Sequence, residues 1–171
     1  ISWTVDNFPP TKAPGDEHEY SNFGYCLLGR IIERATGMSY ERYTQQTLLA
    51  QCGITRMQIA GNTLAERVDG EVFYDGTNST IGDPYGIPVR RMDAHGGWIA
   101  SATDLLRFMV RMDQLADPAD VVYSSSIDAM ITPSTAKNGG GYGRGWAVNG
   151  SNWFHNGRLG GTESIVAPHN T

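Results

Sequence analysis

Long apolar runs are missing from this chain. None approaches the ~20 residues that span a bilayer, so no transmembrane helix is expected. Basic clusters are missing as well. No more than two of the 13 Lys and Arg residues adjoin, and the formal net charge is -5. That balance speaks against nucleic acid or an anionic membrane surface as a partner. There are only two cysteines, Cys26 and Cys52, and their spacing matches no metal motif. Cys26 lies among Tyr25, Leu27 and Leu28 and reads as a buried free thiol; one disulfide becomes an option if the protein is exported. His18, His95 and His169 show no ligand spacing, and the glycines of 139–145 do not form G-x-G-x-x-G. Neither a metal nor a cofactor is expected.

What is present is an ordinary globular composition: 40% hydrophobic and 18% charged over 171 residues, enough for one domain with a core. The chain starts at Ile1 without an initiator Met or a signal peptide and ends at "SIVAPHNT", as a strand-like run finishes. It is therefore expected to be a segment, with further motifs outside it. The sequons at Asn78 and Asn149 matter only on a eukaryotic secretory route.

Residues 1–19, with "PPTKAPG" in the middle, read as an extended lead-in. Leu27, Leu28, Ile31, Ile32 and Ala35 predict a helix over 22–36, stopped by Gly37. Ser39 is placed to cap a second helix through about Ala50, ending near Gly53. The segment 60–95 is turn-rich, with a short strand expected around Glu71–Tyr74. Ser101 and Asp104 mark a capped helix carrying Leu105, Leu106, Phe108, Met109 and Met112. Another helix is expected over about 125–132, capped by a serine in Ser124–Ser126 and stopped by Pro133.

The periodicity then changes. "YGRGWAVNGSNWFHNG" reads as two strands joined by an Asn149-Gly150 turn, and "TESIVAP" as a third. Trp98, Trp146 and Trp153 fit core or cleft-wall positions. Helices precede strands, so the fold class is α+β: a helical part over about 20–135 and part of an antiparallel sheet over about 142–168.

"PSTAK" (133–137) contains Ser-x-x-Lys, the nucleophile–lysine pairing of penicillin-binding proteins and serine β-lactamases. A nucleophile of that kind opens a buried helix, so that serine and lysine share a face. Ser134 follows a helix-ending proline, and a glycine run follows Lys137. The context predicts a loop rather than a catalytic pair.

Other stretches carry a stronger signal. "PGDEHEYSNFGYCLLGRIIERATGMSYERY" (14–43), "HGGWIASATDLLRFM" (95–109), "YGRGW" and "HNGRLGGTES" (155–164) appear in one order. Together they resemble the serine β-lactamase/penicillin-binding protein family, in its class C, D-Ala-D-Ala carboxypeptidase and esterase branch. The first stretch resembles the Tyr-x-Asn motif, the second a Gly-Gly-x-x-Ser-x-x-Asp-Leu element, and the last the third motif, usually Lys-Thr-Gly or His-Thr-Gly. In that family Ser-x-x-Lys precedes Tyr-x-Asn. The resemblance therefore implies a nucleophile upstream of Ile1 and makes residues 1–171 a partial domain of the β-lactamase/transpeptidase-like fold.

The resemblance implies roles. Tyr20 would move the proton of the attacking serine. A phenol is a poor base at neutral pH, but a neighbouring ammonium, here the lysine of the upstream motif, favours its phenolate. Asn22 would bond a substrate amide and that lysine, although its position also suits a helix N-cap. His155, Asn156 and Gly157 would line the substrate strand, and the N–H of Arg158 would be one oxyanion donor. "HNG" departs from the usual motif. A histidine is mostly neutral at pH 7, which weakens the expectation of β-lactamase activity and leaves esterase or peptidase activity. Read without the motifs, Tyr20 is a packing residue at a helix start and His155 an ordinary strand residue.

The implied function is serine hydrolysis through an acyl-enzyme on D-amino-acid peptides, β-lactams or esters, with a small-molecule or peptide substrate as partner and a periplasmic or secreted location. A carboxylesterase on the same scaffold, or an inactive relative serving as a binding module, are the alternatives.

Overall fold

The computed structural model describes residues 1–72, 83 and 85–168. The strand expected around Glu71–Tyr74 runs outside the described residues, and the Asn78 sequon and His169 lie outside them too.

The lead-in is not uniformly extended. Ser2–Asn7 forms a short helix, α1. Asn7 Nδ2 donates to the Trp3 carbonyl at 2.8 Å, and the Trp3 and Phe8 rings meet edge-on at 5.8 Å. Pro9 and Pro10 cannot continue a helix, so the Pro-rich composition describes only the part beyond them.

α2 (Asn22–Thr36) is the longest helix described. Ser21 caps it, its Oγ accepting from Gly24 N at 3.1 Å, and Gly37 closes it in the left-handed region at φ 70°. The cap is Ser21 rather than Asn22, which is the first helical residue. The inner side of α2 packs at Gly29 against the 3-10 segment Val89–His95, where Arg30 pairs with Asp93 and, at 3.3 Å, with Glu33. Leu28 and Ile31, from the same predicted stripe, lie exposed.

α3 (Tyr40–Thr44) starts under its Ser39 cap and continues as a π-helical turn over Gln45–Leu49. Leu49, Cys52 and Ile54 form one small core, against which Met57, Trp98, Phe108 and Val121 pack. Two two-residue strands, β1 (Gln58–Ile59) and β2 (Trp98–Ile99), pair antiparallel. Cys26 is half-buried, Cys52 is buried, and both thiols are free.

α4 (Ala102–Met109) is capped by Ser101, whose hydroxyl accepts from Asp104 N at 3.1 Å and donates to Asp104 Oδ2 at 2.8 Å. α5 (Ser124–Ile131) has Tyr123, not a serine, at its N-cap position, with no side-chain cap bond; it ends at Thr132, before Pro133. β3 (Ala147–Asn149), β4 (Asn152–Leu159) and β5 (Thr162–Val166) form an antiparallel sheet. Asn149 pairs with Asn152, so the central turn residues are Gly150 and Ser151, one position later than the Asn-Gly signal placed them. Gly150 takes φ 61°, the sign that a type II′ turn needs at its first central residue.

The sheet packs on α4 through Met109, Trp146 and Trp153, with the two indoles edge-to-face at 4.5 Å. Phe108 touches this core as well as the first, and so links helical part and sheet. No helix among the described residues is long and apolar enough to cross a membrane.

Candidate active site

Tyr20 is the residue before the Ser21 cap, and it is 54% exposed. Its approach is held from far away in sequence. Lys137 N donates to the Asp16 carbonyl at 3.2 Å, His18 N donates to the Lys137 carbonyl at 2.8 Å, and Glu17 and Lys137 form a parallel bridge. Asn138 Nδ2 donates to Glu17 Oε1 at 2.8 Å, while Lys12 pairs with Glu17 at 2.7 Å. Asn22 is exposed on the first turn of α2. Because Ser21 does the capping, the Asn22 side chain is not taken up by the helix end.

The loop that grips Asp16–His18 is the one containing "STAK". Ser134 N donates to the Tyr142 carbonyl at 2.8 Å, and Tyr142 N donates to the Gly139 carbonyl at 3.1 Å, closing the loop on itself. The Ser134 hydroxyl accepts from Ala136 N at 3.2 Å, a side-chain turn of the kind serine makes in loops. Ser134 opens no helix, and Lys137 is exposed.

Tyr142 ends this loop and stands among the rings of two predicted site stretches. Its centroid is 5.8 Å from Tyr20 at 89° and 6.4 Å from His155 at 75°. His18 lies 5.5 Å away at 40°. The Tyr142 hydroxyl is buried, with no hydrogen-bond partner among the described residues. Burial, followed by the neighbouring Tyr25 and Tyr20, pushes Tyr142 up to about 12. Burial also holds His155 below the ordinary histidine value, only partly offset by a hydrogen bond to the Asn156 backbone.

β4 sorts the remaining predicted residues. His155 faces Val166 across the ladder, Asn156 faces Ile165, Gly157 faces Ser164 and Arg158 faces Glu163. Strand alternation puts His155 and Gly157 on one face and the Asn156 and Arg158 side chains on the other. Leu159 and Thr162 are joined by only two residues, so they form a hydrogen-bonded pair. Alternating from there, His155 and Gly157 bond to β5. Asn156 and Arg158 turn their N–H and C=O groups the opposite way, beyond the pairing with β3, which starts at Ala147 opposite Phe154. A Cβ on Gly157 would lie 3.2 Å from Ser164 Oγ, so the strand surface is closely confined there.

The structure thus brings Tyr20 and His155 onto one ring and places Gly157 on the His155 face. No sequence motif assigns a role to Tyr142 or His18. The only sequence signal for Tyr142 is its place in "YGRGW", beside the third motif. Among the described residues no group of His, Cys, Asp and Glu is arranged to hold a metal.

A profile of the family described as Beta-lactamase matches residues 4–170. The chain belongs to the Beta-lactamase family. This Beta-lactamase family chain is 28% identical over 151 residues to "Penicillin-binding protein 4*" of Bacillus subtilis, covering 81% of the chain and 33% of that protein. It is 26% identical over 166 residues to a "Putative D-alanyl-D-alanine carboxypeptidase" of Escherichia coli O157:H7, covering 86% and 38%. Among solved structures, the octameric penicillin-binding protein homologue from Pyrococcus abyssi superposes with a TM-score of 0.73 at 26% identity, over 96% of this chain and 39% of that one. The chain spans about a third of the length of the curated relatives it matches.

Proposed function

We propose that this chain supplies the Tyr-x-Asn element and the substrate strand of a serine hydrolase that works through an acyl-enzyme on amide or ester bonds. The meeting of Tyr20 and His155 on the Tyr142 ring carries the reading, because it joins two motifs that lie at opposite ends of the sequence. Motif order in the family supports a nucleophile in a Ser-x-x-Lys before Ile1.

In the proposed reaction the serine Oγ bonds to the substrate carbonyl carbon while its proton passes to the Tyr20 phenolate, which the upstream lysine's ammonium favours. The oxyanion that forms accepts from the nucleophile's own N–H and from Arg158 N–H. The outward direction of that N–H, beyond the first residue of β3, supports this role. Collapse of the intermediate breaks the bond to the leaving nitrogen or oxygen, which takes up the proton. Water then attacks the ester and the serine regains its hydrogen. Asn22 would orient a substrate amide, and the His155, Asn156 and Gly157 stretch would line the acyl group. Uncharged amides and esters are favoured over carboxylate-bearing substrates, because a half-buried His155, neutral at pH 7, attracts a carboxylate less than a lysine does. An exported location belongs to the same proposal.

Labelling with a fluorophosphonate or penicillin probe tests the reading. In the full-length protein the adduct is expected on a serine before Ile1, seen by peptide mass spectrometry. Ser134→Ala is expected to keep near-normal turnover and to change stability by less than about 0.5 kcal/mol. The 171-residue chain alone is expected to be inert. An adduct on Ser134 overturns the assignment.

His155 gives a second test. Its folded value lies below the ordinary ~6.5, so it is neutral at pH 7 and gains charge only as pH falls further. KM for a carboxylate-bearing substrate is expected to improve below about pH 6.5, relative to a neutral ester of the same acyl group. His155→Lys should remove that dependence between about pH 5 and 8. Identical profiles for both proteins would remove His155 from carboxylate binding.

A further inference from the structure

We propose that Tyr142 is a positioning residue, whose ring sets Tyr20 against His155. The proposal rests on the reading of those two residues as site groups. Three rings surround Tyr142, and two of them, Tyr20 and His155, meet it edge-to-face. Edge-to-face pairs constrain both separation and angle, so a displacement of Tyr142 is passed to both partners.

The ring is itself fixed by main chain. Tyr142 N and C=O close the 134–142 loop, and Tyr142 bridges to Ala147 at the start of β3. The same loop holds the approach to Tyr20 through Lys137 and Asn138. One loop therefore holds Tyr20 in two ways, through the Asp16–His18 backbone that leads to it and through the Tyr142 ring. Site groups need placement to within roughly 0.5 Å, and this double hold is a means to that precision.

The hydroxyl takes no part. It is buried without a partner among the described residues, and with its value near 12 it carries no proton traffic at neutral pH. The ring is the working group, which separates Tyr142 from Tyr20, where the phenolic oxygen is the proposed actor. The groups next to His155 are Tyr142, Val166 across β5 and the Asn156 backbone; Tyr20, Tyr25 and His18 adjoin Tyr142.

The test compares Tyr142→Phe and Tyr142→Leu in the full-length protein, reading ester turnover and the NMR titration of His155. Tyr142→Phe should match wild type in both. Tyr142→Leu should lower kcat by about 10- to 100-fold, the scale of an ångström misplacement, with KM for a neutral ester within about threefold. In that variant water reaches His155, and its titration should move to higher pH. If Tyr142→Leu does not fold, Tyr142→Met, which fills irregular gaps, takes its place with the same expectations. A leucine or methionine variant with wild-type kcat and an unmoved His155 titration overturns the proposal, as does a phenylalanine variant as slow as leucine. The titration needs no turnover. A shift of His155 in Tyr142→Leu, alongside a fully active Tyr20→Phe, would therefore sink the reading of Tyr20 alone.

Discussion

Tyr20→Phe in the full-length protein is expected to slow acylation by about 10²–10⁴-fold, the usual contribution of a positioned proton-transfer group. The ring survives the substitution, so its edge-to-face contact with Tyr142 survives too. Because Tyr20 is largely exposed, stability should change by less than about 0.5 kcal/mol. The loss should therefore fall on kcat and leave KM for a neutral ester nearly unchanged. Pre-steady-state acylation with an activated ester separates the two. A rate within twofold of wild type would take Tyr20 out of the chemistry.

Gly143→Ala is expected to have the largest effect on stability. A Cβ at that position would sit 2.2 Å from the Met130 carbonyl oxygen and 3.1 Å from that of Thr132. Both obstacles are backbone at the end of α5 and cannot swing aside. The segment is also anchored there: Gly143 N donates to the Trp146 carbonyl at 2.8 Å, and Arg144 N to the Met130 carbonyl at 2.7 Å. Overpacking against backbone costs about 3 kcal/mol or more. At 2–4 °C per kcal/mol for a domain of about this size, Tm should fall by roughly 6–12 °C. Tyr142 is the adjacent residue, so turnover measured below the transition should fall as well. A Tm within about 2 °C of wild type would show that the close approach is relieved without cost.

The parts of this fold that were legible from sequence are those written in local signals. α2 announces itself by periodicity and a glycine after it, although its cap is Ser21 rather than Asn22; the sheet announces itself by a change of period and a turn dipeptide. The misses are local as well. The hairpin turns at Gly150 and Ser151 because register depends on cross-strand pairing, which an Asn-Gly pair biases without fixing. α5 begins after Tyr123 although three serines invite a cap among them. Strands as short as β1 and β2 carry no period to read, and the helix α1 was hidden by the prolines after it.

In the candidate site, Tyr20, Asn22 and the 155–158 strand were visible as motifs. Tyr142 was not, because what distinguishes it is three-dimensional. Its neighbours Tyr20 and His155 flank it in space, and Tyr20 lies far from it in sequence. The same holds for "STAK", whose letters suggest a nucleophile and whose backbone serves instead as a clasp.

That clasp also sets a timetable for biosynthesis. Asn138 and Glu17 are 121 residues apart, and a ribosome adding about 5–20 residues per second needs roughly 6–24 s to travel between them. Bringing such distant points together carries a closure entropy of roughly 4 kcal/mol. Tyr20 is therefore translated among the first residues of this chain, and a growing polypeptide is expected to emerge before the clasp that holds the approach to Tyr20 has closed.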